Sequence, residues 1–383
     1  MAADLKQKLE QRRLKQSGSV EVVTPEQLAL QAPGNLGEIL VRIPSVQYID
    51  EDGRGTKPNV GIRGLNPQRS QFTLLLHDGV PVQPSMYSEN AGYYGVPAER
   101  VGGIEVIKGG AALRHGPHTV GGVVNFLSRD ISSEPMSVTL DTRYDSNGSY
   151  LGNIAVNGTI DRLQYSVEYM HSGGSGFRDN LGFEIDDLDI RLAYQINDIH
   201  RVIGHFAYYD EMSETPGGLL PSEFAHDPSF SSKPNDNFYG NRVAGDIRTI
   251  SQFDENNRLE LLFYASYFSR DWYLQNYANA NSTSNALANN NEQALRDFAV
   301  IGFEPKYSLK YELGSFKDNE LTLGGRFYRD DAKRRTKTGN SGRAREDNSV
   351  LKSSDYLTTT VYAGWLENRF QITDKFAITP GVR

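Results

Sequence analysis

From residue 136 to the end of the chain, apolar and polar side chains alternate along successive segments. In one of them, Leu163, Tyr165 and Val167 alternate with Gln164 and Ser166. Because successive side chains of a β-strand point to opposite faces, each such segment forms a strand with one apolar and one polar face. The pattern predicts about eleven strands, near residues 136–144, 150–160, 163–172, 184–196, 200–209, 242–251, 258–270, 296–312, 319–330, 357–371 and 375–383.

The connections between these segments fall into two length classes. From the second strand on, short connections (161–162, 197–199, 252–257, 313–318 and 373–374) alternate with long ones (173–183, 210–241, 271–293 and 331–356). The first connection, 145–149, is short, although its place in the alternation is that of a long connection. A soluble β-sandwich gives no reason for short and long connections to alternate in this way. A transmembrane β-barrel does, because it has tight turns at one rim and long polar loops at the other.

The segment before these strands has a different character. Val60–Phe126 is dense in glycine, with pairs at Gly109-Gly110 and Gly121-Gly122. It also contains two apolar runs, 72–76 and 104–107, that predict buried strands. Glycine adopts positive φ without strain, so this density indicates tight turns in a small mixed domain. The glycine spacing does not fit a phosphate-binding loop.

The first sixty residues predict a few short elements. Residues 1–17 favour a short polar helix or a disordered lead, and 19–23 a short strand. Thr24, followed by Pro25 and Gln27, predicts the start of a helix, and a second helix is predicted near 35–42. The chain therefore divides into a polar lead (1–18), a compact α+β domain (19–135) and the strand region (136–383).

Composition excludes several classes of function. The chain has no cysteine, which excludes disulfides, thiolate metal sites and cysteine nucleophiles. Its net charge of −8 argues against nucleic acid as a partner. No catalytic constellation is visible, and His77, His115 and His118 form no metal site with carboxylates at suitable spacing. We therefore predict no enzyme activity, no bound metal and no cofactor.

Several ordered motifs resemble the TonB-dependent outer-membrane receptors. They are GSVEVVTPEQL, LGEILVRIPSV, GIRG (Gly61–Gly64), LLLHDGVPV, VGGIEVIKGGAALRHGPHTVGGVVNF and WLENRFQITDKFAITPGVR. In that family a globular plug fills a 22-stranded barrel. The resemblance covers the chain from Ser19 and implies a mainly β protein of the bacterial outer membrane. It implies an α+β plug domain (19–135) followed by about 11 of the 22 strands of an antiparallel transmembrane β-barrel (136–383).

Within the family, IRGLNPQR and RHGPHTVGGVVNF most resemble the ferric citrate type of siderophore receptor. That type has ligand contacts on plug loops that correspond to Asp52–Gly55, Arg63 and Tyr87–Glu89. The polar and aromatic loop Gln83–Tyr94 also has the composition of a surface that contacts a chelate. The predicted ligand-binding residues are Arg54, Arg63, Gln83, Tyr87 and Glu89. Arg54 and Glu89 stand where that type has neutral polar residues, and a carboxylate facing an anionic chelate is unfavourable.

Other charged residues have alternative interpretations. Arg63 and Lys108 resemble plug residues that pair with carboxylates on later barrel strands, and for Arg63 this ion pair and the ligand contact both stay open. A basic cluster in a long connection either attracts an anionic chelate, contacts lipopolysaccharide phosphates or is a solvated loop; its members are Lys333, Arg334, Arg335, Lys337, Arg343 and Arg345. The acidic pairs Asp186-Asp187 and Asp330-Asp331 are expected to be solvated.

The resemblance implies active uptake of a ferric chelate driven by a periplasmic TonB-type protein, in contact with outer-membrane lipid and lipopolysaccharide. Two alternatives stay open: the same architecture importing cobalamin, a sugar or another metal chelate, and a passive porin or adhesin. An odd number of strands leaves two edges unpaired, and neither a secretory signal nor a Ton box is recognisable near Met1. We therefore expect the sequence to be part of a longer protein.

Overall fold

The computed structural model describes residues 2–51, 54–278, 286–314, 316–343 and 349–383. It contains a 5-stranded sheet, a 2-stranded hairpin and a 12-stranded sheet. The first two belong to the plug domain. The third, which we call the large sheet, is formed by the strands after residue 136. This arrangement confirms the predicted mainly β fold, with an α+β domain ahead of an antiparallel, incomplete barrel.

The lead and the plug domain together contain short strands, short helices and three turns of 3-10 helix. The helices are α1 (Ala2–Lys15), α2 (Pro25–Gln31) and α3 (Gly37–Leu40); the strands are β1 (Ser19–Val23), β2 (Val46–Ile49), β3 (Asn59–Ile62), β4 (Thr73–His77), β5 (Val80–Pro81), β6 (Val101–Lys108) and β7 (Gly122–Ser128); the 3-10 turns are Gln68–Ser70, Ala98–Arg100 and Gly110–Arg114. The main sheet has the order β1-β6-β7-β4-β5, in which only the β4–β7 pair is parallel. Its central strands, β6 and β7, are buried along their whole length.

The helix α1 packs on this sheet rather than extending into solvent. Leu5 and Leu9 form a small apolar cluster with Leu127 of β7, and Arg12 pairs with Glu105 of β6 at 3.0 Å. Of the two structures predicted for the lead, the helix is therefore the one observed.

The start of α2 confirms the predicted capping residues. Thr24 accepts a hydrogen bond from the Gln27 backbone, and the Gln27 side chain accepts one from the Thr24 backbone at 2.9 Å, which forms a capping box. The second helix, predicted near 35–42, is shorter in the structure and ends at Leu40. The chain continues to Ile43 in tight turns, and Pro44 has no N–H to continue the helix.

The large sheet is a meander in which each strand from β8 to β18 pairs antiparallel with the next, and β19 pairs antiparallel with β17. Its strands are β8 (Ser137–Tyr144), β9 (Tyr150–Ile160), β10 (Leu163–Gly174), β11 (Phe183–Gln195), β12 (His200–Glu214), β13 (Asn237–Gln252), β14 (Asn257–Tyr277), β15 (Leu287–Leu313), β16 (Phe316–Gly339), β17 (Val350–Thr373), β18 (Phe376–Ile378) and β19 (Gly381–Val382). A short helix, α4 (Pro221–His226), lies in the connection between β12 and β13. The first ten predicted strands are confirmed as β8 to β17, and short connections join them where predicted, although β16 already begins at Phe316.

The strands are longer than predicted at the rim with the long connections. β14 reaches Tyr277, and β15 begins at Leu287. The segments 271–293 and 331–356, predicted as loops, are therefore mostly strand. Ladder hydrogen bonds continue where the apolar alternation ends, because a strand with both faces wet needs no apolar residues. Part of the polar stretch 280–291 lies outside the described residues.

The basic cluster predicted in a loop is mostly strand as well. Lys333, Arg334, Arg335 and Lys337 lie in β16, Arg343 follows that strand, and Arg345 lies outside the described residues. At the other end of the chain, the predicted strand 375–383 is interrupted at Pro380, which cannot donate to a ladder, so β18 and β19 are separate pieces.

The two faces of the large sheet differ as expected of a membrane barrel. The inner face packs on the plug domain, where Tyr93 lies near Phe238 and Tyr94 near Tyr209, with ring centroids 6.1 and 4.8 Å apart. The outer face exposes apolar side chains, among them Phe206, Ile247, Phe263, Ile301, Phe303 and Tyr362. None of the described helices is long and apolar enough to cross a membrane.

A buried ion pair joins the plug domain to the inner face of the large sheet. Arg100 ends the 3-10 turn before β6 and is 1% exposed. Its guanidinium donates to Asp187 of β11 and lies 3.4 Å from Asp189. The Tyr94 hydroxyl also donates to Asp187, at 3.1 Å. Burial alone would lower the pKa of Arg100, but the two carboxylates hold it well above its usual value.

Two more contacts join the plug domain to the large sheet. Lys57 donates to Glu211 of β12 at 2.7 Å, with both side chains fully buried. Ser85 donates to Asp330 of β16 at 2.7 Å. The plug domain is thus attached to the sheet at three separated places by charged or charge-assisted hydrogen bonds.

These contacts correct the prediction that the acidic pairs are solvated. Asp187 and Asp330 face inward and are 1% and 0% exposed. Their neighbours Asp186 and Asp331 lie on the outer face, where Asp186 accepts from His171. Because consecutive strand residues point to opposite sides, one member of each pair had to face the plug domain.

Gly302 of β15 provides a test of this inner packing. A Cβ added to Gly302 would overlap the ring of Tyr264 on the adjacent strand, and Tyr264 is 2% exposed. We expect Gly302→Ala to cost about 1–3 kcal/mol of stability, measured by thermal unfolding followed by circular dichroism. Gly204→Ala in β12, where an added Cβ meets no atom within 4 Å, is the control. Equal melting temperatures for the two variants would contradict this packing.

The buried ion pair predicts a larger effect. Arg100→Met removes the guanidinium that neutralises Asp187, and an uncompensated buried charge costs about 3–5 kcal/mol. We expect earlier thermal unfolding and faster proteolysis within the plug domain. The control, Arg329→Met, breaks an exposed pair with Asp331 at 3.3 Å and should cost less than about 1 kcal/mol. A similar loss of stability in both variants would show that the buried ion pair of Arg100 stabilises the protein no more than an exposed pair does.

Candidate functional site

Three arginines lie in register on adjacent strands of the large sheet. Arg270 of β14 is opposite Arg296 of β15, and Arg296 is opposite Arg334 of β16. Directly opposed residues of antiparallel strands have Cβ atoms about 5 Å apart, and like charges at such positions repel. We call these three residues the arginine row. The repulsion between their positive charges is unfavourable unless negative charge lies nearby.

The arginine row faces the plug domain near the rim with the long connections. Arg270 donates to the Tyr93 hydroxyl at 3.2 Å, and its guanidinium lies 4.6 Å from the Tyr93 ring centroid. Arg334 donates to Glu89 at 3.1 Å and to the carbonyl of Ser88. Both ends of the row thus contact the plug loop 83–94.

The middle residue of the row has a different environment. Arg296 donates to the carbonyls of Leu295 and Arg335 at 3.0 and 2.6 Å. Within the described part of the chain, its guanidinium forms no ion pair with a carboxylate. Among the described residues, Arg296 and Arg270 are therefore the members of the row without a paired carboxylate, whereas Arg334 pairs with Glu89.

Arg69 of the plug domain adds a fourth guanidinium. Its backbone lies in the left-handed region, with φ of 58°. The guanidinium lies 5.3 Å from the centroid of the Tyr93 ring and 4.9 Å from that of Trp272, and it pairs with Glu51 at 2.9 Å. Arg69 and Arg270 therefore lie over the rings of Tyr93 and Trp272. Glu51 pairs with Arg69, and Glu89 pairs with Arg334.

The resulting site is electropositive and partly aromatic. Two carboxylates balance half of the charge of four arginines, so positive charge remains to attract an anion. The indole N–H of Trp272 is buried and, among the described residues, has no hydrogen-bond partner. Planar guanidiniums bind carboxylates and other oxyanions in bidentate geometry, and an aromatic floor adds contact area.

Some of the predicted ligand-binding residues lie at this end of the plug domain. Glu89 is the partner of Arg334. Tyr87 packs against Tyr328 of β16, with ring centroids 5.1 Å apart. Arg54 contacts a different part of the sheet: it donates to the carbonyl of Leu181 at 2.9 Å, and its guanidinium lies 4.2 Å from the Phe183 ring centroid. Asp52 and Gly53 of the same predicted loop lie outside the described residues.

Gln83, Arg63 and Lys108 lie away from the arginine row. The Gln83 amide accepts from the Leu75 backbone at 3.0 Å and donates to Thr73 at 3.2 Å, so both of its ends are bonded to β4. Arg63 is exposed, lies beside Gly109 and pairs with no carboxylate among the described residues. Lys108 donates to the carbonyl of Pro44 at 3.0 Å and lies 3.9 Å from Glu21, both within the plug domain. Ligand or barrel contacts of these three stay predictions.

The sequence reading did not identify Arg69, Arg270 or Arg296. Arg270 and Arg296 are far apart in the sequence, and their opposition depends on the strand register. The one local signal was an arginine at an inward position of an otherwise apolar strand end, beside Trp272. The predicted phases of β14 and β15 could have placed both on the inner face, but not opposite each other.

Comparison with known proteins agrees with this architecture. Residues 12–123 match the family model of the TonB-dependent receptor plug domain. The ferric enterobactin receptor of Pseudomonas aeruginosa is 25% identical over 97% of this chain and 55% of its own length. The ferrienterobactin receptor of Escherichia coli K12 is 25% identical over 94% of this chain and 56% of its own length.

The large sheet and plug domain also superpose on a solved structure. The ferric citrate transporter FecA in its unliganded form aligns with a TM-score of 0.87 and 25% identity, over 97% of this chain and 56% of that one. The chain thus spans about half the length of the relatives it matches. Over that span the plug-domain match, the relatives and the fold agree: residues 12–123 form a TonB-dependent receptor plug domain, and the large sheet after it is similar to part of the barrel of such outer-membrane receptors.

Proposed function

We propose that this protein is a receptor for TonB-dependent uptake of an anionic ferric chelate, a siderophore or a ferric citrate-like complex. The observation that carries the proposal is the arginine row, because opposed guanidiniums are stabilised by a multiply charged oxyanion. The similar proteins described as ferric enterobactin and ferric citrate receptors point to the same class of cargo. A neutral sugar or cobalamin would gain little from this row.

Glu89 has a defined role in this proposal. The sequence reading placed an unfavourable carboxylate in front of an anionic ligand, but Arg334 neutralises it at 3.1 Å. In the free receptor, Glu89 and Glu51 therefore act as internal counter-ions. An arriving chelate competes with them for Arg334 and Arg69, so its affinity reflects the difference between the two sets of contacts.

Two of the other predicted ligand residues lie near this centre, because Tyr87 and Glu89 are on the loop that contacts the arginine row. Gln83 holds the start of that loop on β4 through Leu75 and Thr73. Ligand contacts of Arg54 and Arg63 stay part of the proposal. No catalytic step is needed, because the cargo is bound and released unchanged.

We further propose that a periplasmic TonB-type protein supplies the energy. The plug domain is attached to the sheet by buried charged contacts at Arg100 and Lys57. Their rearrangement exposes or unpairs buried charges, which thermal motion alone rarely achieves. A mechanical pull from a partner provides that free energy.

Lipopolysaccharide is the proposed partner of the outer face. Arg329, Lys333, Arg335 and Lys337 alternate along β16 with inward residues such as Ala332. A basic stripe beside an apolar outer surface suits lipid phosphates. Lys333→Gln combined with Lys337→Gln should reduce the lipopolysaccharide that copurifies with the protein, and unchanged copurification would remove this partner.

Uptake tests the function as a whole. Iron-starved cells that carry the gene should accumulate radiolabelled ferric citrate or ferric enterobactin faster than cells without it. The gain should disappear in a strain that lacks its TonB-type protein. Equal uptake with and without the gene would reject the iron chelate, and uptake independent of the TonB-type protein would indicate a passive pore.

Binding by variants tests the arginine row. Removing one charge-assisted contact costs about 1.5–3 kcal/mol, so Arg296→Gln should weaken ferric-chelate binding at least tenfold in an equilibrium titration. Glu89→Gln, which frees Arg334, should tighten binding. The control is Arg335→Gln, the next residue along from Arg334, whose side chain pairs with Asp297 at 3.0 Å and should leave binding unchanged. Equal affinities for Arg296→Gln and Arg335→Gln would show that the row does not bind the cargo.

A further inference from the structure

Two imidazoles and a carboxylate meet where the plug domain touches the large sheet. His77 is at the end of β4, Asp189 lies in β11 and His205 in β12. One nitrogen of each imidazole and one oxygen of Asp189 lie within 4.8 Å of one another. The two rings meet edge to face with centroids 5.8 Å apart. The sequence reading found no such group around His77, because its other members come from distant strands.

The hydrogen bonds around His205 orient it as a ligand. Its Nδ1 lies 2.8 Å from the Asp246 carboxylate, which accepts the Nδ1 proton. Its Nε2 then points at Asp189, 2.7 Å away. A carboxylate that accepts from one imidazole nitrogen is the outer-shell pattern typical of metal-bound histidine, in which the other nitrogen faces the metal. In His205 that other nitrogen donates to Asp189.

The tautomer of His77 follows from its neighbours. The Ser128 hydroxyl donates its proton to Asp78 at 2.6 Å, because a carboxylate can only accept. The contact between Ser128 and His77 Nε2 at 3.0 Å must therefore use an N–H of His77. This leaves the lone pair on Nδ1, which forms no hydrogen bond to the described residues. His77 thus has one nitrogen fixed as a donor and one available as a ligand, whereas His205 Nε2 becomes available only when it loses the proton that it shares with Asp189.

Space at this position also suits a cation. Carboxylates and guanidiniums are mixed around the group; they are Asp78, Asp187, Asp189, Asp246 and Glu168, with Arg100, Arg129, Arg191, Arg242 and Arg248. A cleft between plug domain and sheet is lined by His77, His205 and Asp246, which leaves room for water to complete the coordination.

We propose that His77, Asp189 and His205 bind one divalent transition-metal ion, of which Zn²⁺ is the best match to two imidazoles and a carboxylate. On binding, the proton shared between His205 Nε2 and Asp189 is released to solvent. The ion joins the plug domain to two strands of the large sheet, so it stabilises the docked plug. This site is separate from the arginine row and does not depend on the cargo proposed above.

Metal titration of the full-length protein in detergent tests the site. After treatment with a chelator, the protein should bind one Co²⁺ with the intense visible absorption of a low-symmetry histidine site, and Zn²⁺ should displace it. Binding should raise the temperature of thermal unfolding. His77→Gln and His205→Ala should abolish the absorption. Asp246→Asn, which changes only the outer shell, should weaken affinity by about 10- to 100-fold.

His118→Ala is the control, because His118 is exposed and lies outside the group. It should bind the metal as the unaltered protein does. If His77→Gln does not fold, as judged by circular dichroism, His205→Ala and Asp246→Asn keep the test decisive. Absence of a bound ion at micromolar Co²⁺ and Zn²⁺, or equal binding by His118→Ala and His205→Ala, would overturn the proposal.

Discussion

The burial of Arg100 against Asp187 and Asp189 is the interaction on which the rest of the structure depends. It places one full charge of the plug domain inside the large sheet, where only a matched carboxylate can neutralise it. The position of β6, and with it the centre of the plug sheet, is therefore fixed relative to β11. Lys57 with Glu211 and Ser85 with Asp330 fix the rotation around that point. A plug held in this way is specific in orientation but costly to displace.

The same loop links this ion pair to the arginine row. Tyr93 contacts Arg270 of the row, whereas Tyr94, the next residue, donates to Asp187 beside Arg100. A ligand that changes the contacts of Tyr93 therefore acts on a backbone that also positions Tyr94. This arrangement provides a short physical route from the proposed anion-binding site to the plug attachment.

The architecture could be predicted from the sequence, but the arrangement of residues in the candidate site could not. Alternation of polarity located the strands of the large sheet, and Thr24 and Pro25 located α2, because these signals are local. The strand ends were missed, since polar residues such as those after Asp331 give no sign that ladder hydrogen bonds continue. Arg270 opposite Arg296, and His77 beside His205, depend on register and on docking of the plug domain, which no local pattern reports. The pair Asp186-Asp187 shows the same limit of sequence-based prediction. The alternation of side chains along a strand predicts that one of the two carboxylates faces inward, but it does not identify which one.

A double-mutant cycle between Arg100→Met and Asp187→Asn tests most directly whether the plug domain is held by this buried pair. Hydrogen exchange of the β6 backbone amides reports the free energy of local opening in the unaltered protein, both single variants and the double variant. If the two side chains stabilise the docked plug together, the double variant should lose less than the sum of the single losses, with a coupling of at least about 1 kcal/mol. Additive losses would contradict the account, because each residue would then act independently of the other.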